Sequence, residues 1–265
     1  MNRKRHVAFP RSAIRFQSEF LDFQKGIRVG HLDDNQRITR ILKLALEARH
    51  QEEFVTERFG RGVYWQWIGF VFRPNRAAKP VSSKISFGCA KFFLTIDSEE
   101  TGVGTHGQDA TRVEPLFKCG FSVERGLLTT SERFPQIQLQ DDWDWHRLLA
   151  GLTSGSPLEK ELRRLVAREG FSIDVGNWDG RNRFTRKNLP KANLTSTLKG
   201  ILTQAPPDIW TGFQVYYPMS EKEVRAATGL DLVESMMAVF GETTRAMNLC
   251  MQVPLENSPD EIEWE

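Results

Sequence analysis

Three runs dense in aromatic and β-branched residues constrain this chain most: Val63-Tyr-Trp-Gln-Trp-Ile-Gly-Phe-Val-Phe72, Ile85-Ser-Phe-Gly-Cys-Ala-Lys-Phe-Phe-Leu-Thr-Ile96 and Leu116-Phe-Lys-Cys-Gly-Phe-Ser-Val123. Residues of this kind suit a pleated, half-buried surface, so the runs read as three strands of one sheet. The connection at 73–84, with Pro74, Asn75 and Pro80, suits a hairpin excursion and therefore antiparallel neighbours rather than a helical crossover. Within the first run Trp65 and Trp67 share one strand face, and Tyr64 and Gln66 the other. One aromatic face belongs in the core; the other is a binding platform if helices leave it uncovered.

Around the strands the hydrophobic period becomes helical. Ile38, Ile41, Leu42, Ala45 and Leu46 mark an amphipathic helix that starts after Asp34 and ends near His50. Ser156-Pro-Leu-Glu159 and Ser220-Glu-Lys-Glu223 each carry a capping signature, with Gly170 and Gly229 as the stops. Asp231 is expected to open a longer helix with Val233, Met236, Met237, Phe240, Thr244 and Met247 on one stripe. Short strands are expected at 171–175 and 209–217, with a helix carrying Leu194, Leu198, Ile201 and Leu202 between them. The first thirty residues, with Phe9, Phe16, Phe20 and Phe23, read as short elements that dock by their aromatic rings.

These signals predict an α+β fold: a mainly antiparallel twisted sheet with helices packed largely on one face. A single domain over 1–253 is expected, with a helical C-terminal subdomain from about residue 143 as the alternative, followed by an acidic tail at 254–265. A chain of 265 residues buries roughly three quarters of its unfolded surface and needs no covalent staples. No apolar run reaches the length of a membrane span. The basic start, Met1-Asn-Arg-Lys-Arg-His6, is followed by Arg11, Arg15, Glu19 and Asp22 instead of an apolar core, which argues against a secretory signal. Cys89, Cys119 and Cys250 are odd in number, widely spaced and set in apolar stretches, as buried free thiols are, so a reducing, cytoplasmic compartment is expected.

The formal net charge of +2 hides an asymmetry. Residues 1–84 carry 17 Lys/Arg against 8 Asp/Glu, residues 85–217 carry 16 of each, and residues 218–265 carry 3 against 10. Such a chain either contacts a polyanion with its front or pairs its two ends with each other.

Several motifs touch on chemistry without fixing one. Gly102-Val-Gly-Thr-His-Gly107 has the GxGxxG spacing, but residues Gln108 to Pro115 carry no helical apolar face, so a strand connection is the better reading. Asp141-Asp-Trp-Asp-Trp-His146 sets carboxylates near an imidazole, and its acids suit the start of a helix as well as they suit catalysis. Asp97, Glu99 and Glu100 at a strand end are candidate cation ligands, and with Asp144 and His146 they would make a metal-assisted hydrolase. A nuclease of the PD-(D/E)xK kind fails because Gly126 stands two residues after Glu124 where Lys is wanted. No structural metal site and no cofactor is expected.

The most suggestive stretch is Asn177-Trp-Asp-Gly-Arg-Asn-Arg-Phe-Thr-Arg-Lys-Asn188, continuing to Lys191. Arg181, Arg183, Arg186, Lys187 and Lys191 are expected to meet phosphates, with Trp178 and Phe184 stacking on unpaired bases. Arg58-Phe-Gly-Arg61 adds a smaller basic turn ahead of Tyr64, Trp65 and Trp67. The sequence therefore favours a non-catalytic nucleic-acid-associated binding module, such as an accessory subunit of a prokaryotic multi-protein complex. The alternatives are a protein–protein adaptor using its aromatic surface and acidic tail, and the metal-assisted hydrolase.

Overall fold

In a computed structural model, which describes residues 6–79, 88–97, 115–125, 143–177 and 180–256, the axis of the sheet is the strand Leu116–Arg125. Its period of two is complete. Phe117, Cys119, Phe121 and Val123 are fully buried in the hydrophobic core, and Lys118, Ser122 and Glu124 are buried in a different company on the opposite face.

In chain order the strands are β1 (Leu21–Asp22), β2 (Gly26–Arg28), β3 (Phe54–Arg61), β4 (Tyr64–Phe72), β5 (Lys91–Asp97), β6 (Leu116–Arg125), β7 (Ser172–Asn177), β8 (Asn182–Phe184) and β9 (Thr211–Ser220). All described pairings are antiparallel, as the hairpin-like connection between the first two runs implied. From edge to edge the sheet runs β3, β4, β5, β6, β9, β7, β8. The β1–β2 ribbon pairs with the start of β4, on Tyr64 and Trp65, in line with β5, which takes Trp67 to Val71.

The helices are α1 (Ile38–His50), α2 (Arg73–Ala77), α3 (Trp143–Gly151), α4 (Pro157–Ala167), α5 (Leu194–Gln204), α6 (Glu221–Ala226) and α7 (Gly229–Asn248). They pack largely on one face. Phe240 of α7 stacks on Phe92 of β5 with ring centroids 4.6 Å apart and meets Phe70 of β4 edge-on at 6.0 Å. The thiol of Cys119 points at the Met236 carbonyl, 3.8 Å away. Among the described residues no helix is long and apolar enough to cross a membrane.

Three sequence expectations are corrected. Arg58-Phe-Gly-Arg61 is not a turn but the end of β3; the turn is Gly62-Val63, and Gly62 takes φ +66°, where glycine has no steric cost. The stretch from Asn177 contains β8, whose three residues are too few to show a period. Gly229 does not stop a helix but begins α7, because Thr228 is the cap: its hydroxyl accepts the Asp231 amide at 3.2 Å, and the Asp231 carboxylate accepts the Thr228 amide at 3.2 Å. The boxes at Ser156 and Ser220 stand where the sequence put them, although Ser156 caps α4 through the Glu159 amide alone while the Glu159 side chain accepts from Gly155.

The N-terminal aromatics dock as expected, with Phe16, Phe20 and Phe23 buried. The front of the chain meets its C-terminal part there. Arg225 donates to the carbonyls of Ser18 (2.7 Å) and Leu21 (3.1 Å), Arg11 pairs with Glu234, and Arg49 donates to the Met237 carbonyl at 3.0 Å.

Candidate nucleic-acid interface

Opposite the helices the sheet presents charge. Lys91, Ser122, Gln214, Asp174 and Arg183 stand opposite one another in register on β5, β6, β9, β7 and β8. At about 4.8 Å per strand this polar row is about 19 Å long. Buried charge on such a scale persists only when each ion has a partner.

The partners are present. Lys91 Nζ lies 3.3 Å from Glu57 and 3.7 Å from Glu124, with its ammonium 5.4 Å from the Trp67 ring centroid. Burial works against the Lys91 charge, but Glu57 and Glu124 outweigh it and hold the ammonium above its usual pKa. Lys118 Nζ bridges Asp97 and Asp174, 3.2 Å from each, over the Tyr216 ring. Asp174 also accepts from Arg183 Nε at 3.1 Å and from the Tyr216 hydroxyl at 3.0 Å. Burial raises its pKa, and the Lys118 and Arg183 charges with these hydrogen bonds overcome that and hold it below the ordinary value. Arg181 donates to Gln214, and its guanidinium lies in the space left free at Gly212, beside Glu124. Among the described residues four cations thus face Glu57, Asp97, Glu124 and Asp174, and these charges balance.

The edges of the sheet are different. Beyond β8 the chain turns at Thr185, whose amide is held by the Asn188 side chain, and Arg186, Lys187 and Lys191 are exposed. At the other edge Arg28, Tyr64 and Arg61 stand in one cross-strand row over β2, β4 and β3, with the Arg28 guanidinium 5.6 Å from the Phe20 ring centroid and Lys25 5.6 Å from that of Tyr64. Arg58 stacks on the Trp65 ring at 4.5 Å, and Phe59 next to it is 72% exposed. Among the described residues none of these six cations has an ion pair, although Lys25 nearby is matched by Asp22 at 3.4 Å.

The sequence-predicted residues therefore divide. Arg181 and Arg183 turn inward to the polar face, and Phe184 is buried against the core. Arg186, Lys187 and Lys191 point to solvent, and Trp178 lies outside the described residues. No family model matches the chain, and no curated protein matches its sequence.

The groups of the hydrolase reading are not brought together. Asp144 is fully buried, accepting from Lys79 (2.8 Å), Asn75 (2.7 Å) and the amides of Ala90 (2.7 Å) and Gln252 (2.9 Å). It thus sits at the start of β5, whereas Asp97 ends that strand, about 23 Å away at about 3.3 Å per residue. His146 is exposed on α3, and Glu99, Glu100, Asp141, Asp142 and the 102–107 glycine motif lie outside the described residues. Among the described residues no cluster of three or more His, Cys, Asp or Glu is placed to hold a metal ion. For the adaptor reading, the exposed large apolar side chains among the described residues, Val7, Phe59, Trp143 and Leu249, sit on separate segments and form no shared element there. Of the acidic tail only Pro254 to Glu256 is described.

Residues that sequence reasoning passed over carry the polar face: Glu57, Lys91, Lys118, Asp174 and Tyr216. A signal was there. In β6 the residues Lys118, Gly120, Ser122 and Glu124 alternate with Phe117, Cys119, Phe121 and Val123, which marks a sheet whose second face is polar.

Proposed function

We propose that this protein is a non-catalytic nucleic-acid-associated binding module that meets phosphates through the cations at its two sheet edges. What supports the reading is the contrast between the interior, where each cation of the polar face has a carboxylate or amide partner, and the edges, where Arg28, Arg58, Arg61, Arg186, Lys187 and Lys191 have no ion pair among the described residues. A guanidinium or ammonium that is not held in an ion pair can displace the counterions of a polyanion, and that release drives binding. The two edges lie about 29 Å apart across six strand spacings, so one strand of nucleic acid reaching both would run across the width of the sheet.

The test is the salt dependence of affinity for labelled DNA and RNA of mixed sequence. Binding is expected to weaken steeply with salt. In duplex DNA the slope of log affinity against log salt should fall by about 0.9 for each phosphate contact removed, as in R186Q, K187Q or K191Q. Affinity that is absent, or that does not respond to salt, sinks the proposal.

A further inference from the structure

The two basic edges differ in one respect: the turn at 185–191 offers charge alone, since Phe184 is buried, whereas the β3–β4 hairpin offers charge together with an exposed aromatic ring. We infer that the tip of this hairpin, with Phe59 as the stacking platform and Arg61, two residues along the strand, as a phosphate contact, binds unpaired bases and makes the protein select single-stranded over double-stranded nucleic acid. The inference rests on the nucleic-acid reading above and names its substrate class.

The local structure accounts for the exposure. The register of the hairpin slips between Phe59 and Gly60: Phe59 pairs with Trp67 and Gly60 with Trp65, so that Gln66 is left over as a bulge. Gly60 adopts φ +138°, and a side chain there would run into the Trp65 backbone and the Gln66 amide. A bulge sharpens the twist of an edge, and here it leaves the Phe59 ring without cover while Trp67, opposite, fills the space over Gly69.

Edge strands are often protected from pairing with other chains by charge and bulges, and Arg58, Arg61 and the bulge would suffice for that. An exposed phenylalanine works against such protection. It has a use near Arg61, which has no ion pair among the described residues, because any base can stack on the ring while its phosphate meets the guanidinium. Arg58 pairs in register with the core residue Ile68 and points to the other face of the strand. Trp65 and Tyr64 are already engaged, by Arg58 at 4.5 Å and by Lys25 at 5.6 Å, which leaves Phe59 as the open ring of the corner.

The experiment compares fluorescein-labelled oligo(dT) with a duplex of equal length, by anisotropy over a salt series, for the wild-type protein, F59L, R61Q and R186Q/K187Q. Wild-type protein should prefer the single strand. F59L keeps apolar bulk and loses the stacking face, so it should weaken oligo(dT) binding on the order of tenfold and leave duplex binding unchanged. In parallel, photo-crosslinking of wild-type protein to oligonucleotides carrying 5-iodouracil should yield a peptide containing Phe59, a readout that does not depend on how a variant folds. If R186Q/K187Q lowers affinity and the salt slope while F59L changes nothing and the crosslink maps elsewhere, the stacking inference is wrong and the nucleic-acid reading stands. If no nucleic acid binds, both fall. Phe59-dependent binding to anionic vesicles in place of oligonucleotides would also overturn the inference.

Discussion

Lys118 on β6 reaches across β9 to Asp174 on β7, and the two charged atoms stand 3.2 Å apart with both side chains almost wholly out of water. The pair is not symmetric. Lys118 has a second carboxylate in Asp97, which is 43% exposed, whereas Asp174 gathers Lys118, Arg183 and the Tyr216 hydroxyl on one buried carboxylate. D174A should therefore cost about 3–5 kcal/mol, as removing one partner of a buried pair does, because it takes one shared acceptor from three donors at once. K118M should cost less, because Asp174 keeps Arg183 and Tyr216 and the methionine fills the strip over the Tyr216 ring. Urea denaturation of both variants checks the order; equal losses would mean that Asp174 is not the hub.

Two groups should divide the acid side of the stability curve into separate windows. Burial, with the neighbouring Arg49 charge, pushes His50 down to about 4 from an ordinary 6.5. Between these values the unfolded chain binds a proton that the folded chain refuses, so stability falls as pH drops through this range, by up to about 3 kcal/mol. Asp174 is held below its ordinary 3.8, so its contribution is complete above that value and is lost as pH falls toward and through its folded value. Unfolding free energies measured from pH 7 to pH 3 should show the upper step vanish in H50F. The lower step should shrink in D174N without vanishing, since hydrogen bonds and neighbouring charges also hold the Asp22, Glu159, Glu223 and Asp231 carboxyls below their ordinary values.

The fold was readable where the period of the sequence was long enough to be unambiguous. α1 lies within the stretch that Ile38, Ile41, Leu42, Ala45 and Leu46 announce, and β4 and β6 coincide with aromatic runs. β3 was missed because Phe54-Val-Thr-Glu-Arg-Phe-Gly-Arg61 is an edge strand, mostly solvated, with charge at Glu57, Arg58 and Arg61 and a glycine at its bulge. Such a strand is specified by its neighbour more than by its own composition. β8 is defined by pairing with β7 over three residues, a tertiary fact that no local pattern records.

For the candidate site the limit is different. Arg181 and Arg186 are indistinguishable in a basic stretch read as text, but Arg181 folds back to Gln214 while Arg186 faces water. The decision is made by Gln214, Asp174 and Gly212 on other strands, which determine where a guanidinium finds an acceptor and where it finds room. Lys79 and Asp144 are 65 residues apart in sequence and meet at 2.8 Å, a pairing that no spacing rule could have proposed.

The three thiols should be silent in the native protein. Burial pushes Cys89 up to about 12 and raises Cys119 and Cys250 as well, so none is a thiolate near neutral pH, and all three are buried as free cysteines. Titration with a disulfide reagent at pH 8 should find no reactive thiol in native protein and three after denaturation. A fast native reaction at any of them would show that its surroundings open.

Two glycines in helices should respond to alanine with opposite signs. Gly200 lies within α5, and a Cβ there would meet nothing within 4 Å, so G200A gains helix propensity of up to about 1 kcal/mol without a collision. Gly229 opens α7, and a Cβ there would overlap the Phe16 carbonyl oxygen, which is backbone and has no rotamer to yield. G229A must push the start of α7 away from the docked N-terminal segment, loosening the contacts that Arg225 makes with Ser18 and Leu21, so a loss of about 1–3 kcal/mol is expected despite the better helix former. Thermal unfolding of the two single variants and the double variant checks this. Because the sites share no partner, the double variant should show the sum of the two effects. A stabilised G229A would mean that the N-terminal segment does not sit against α7 in solution.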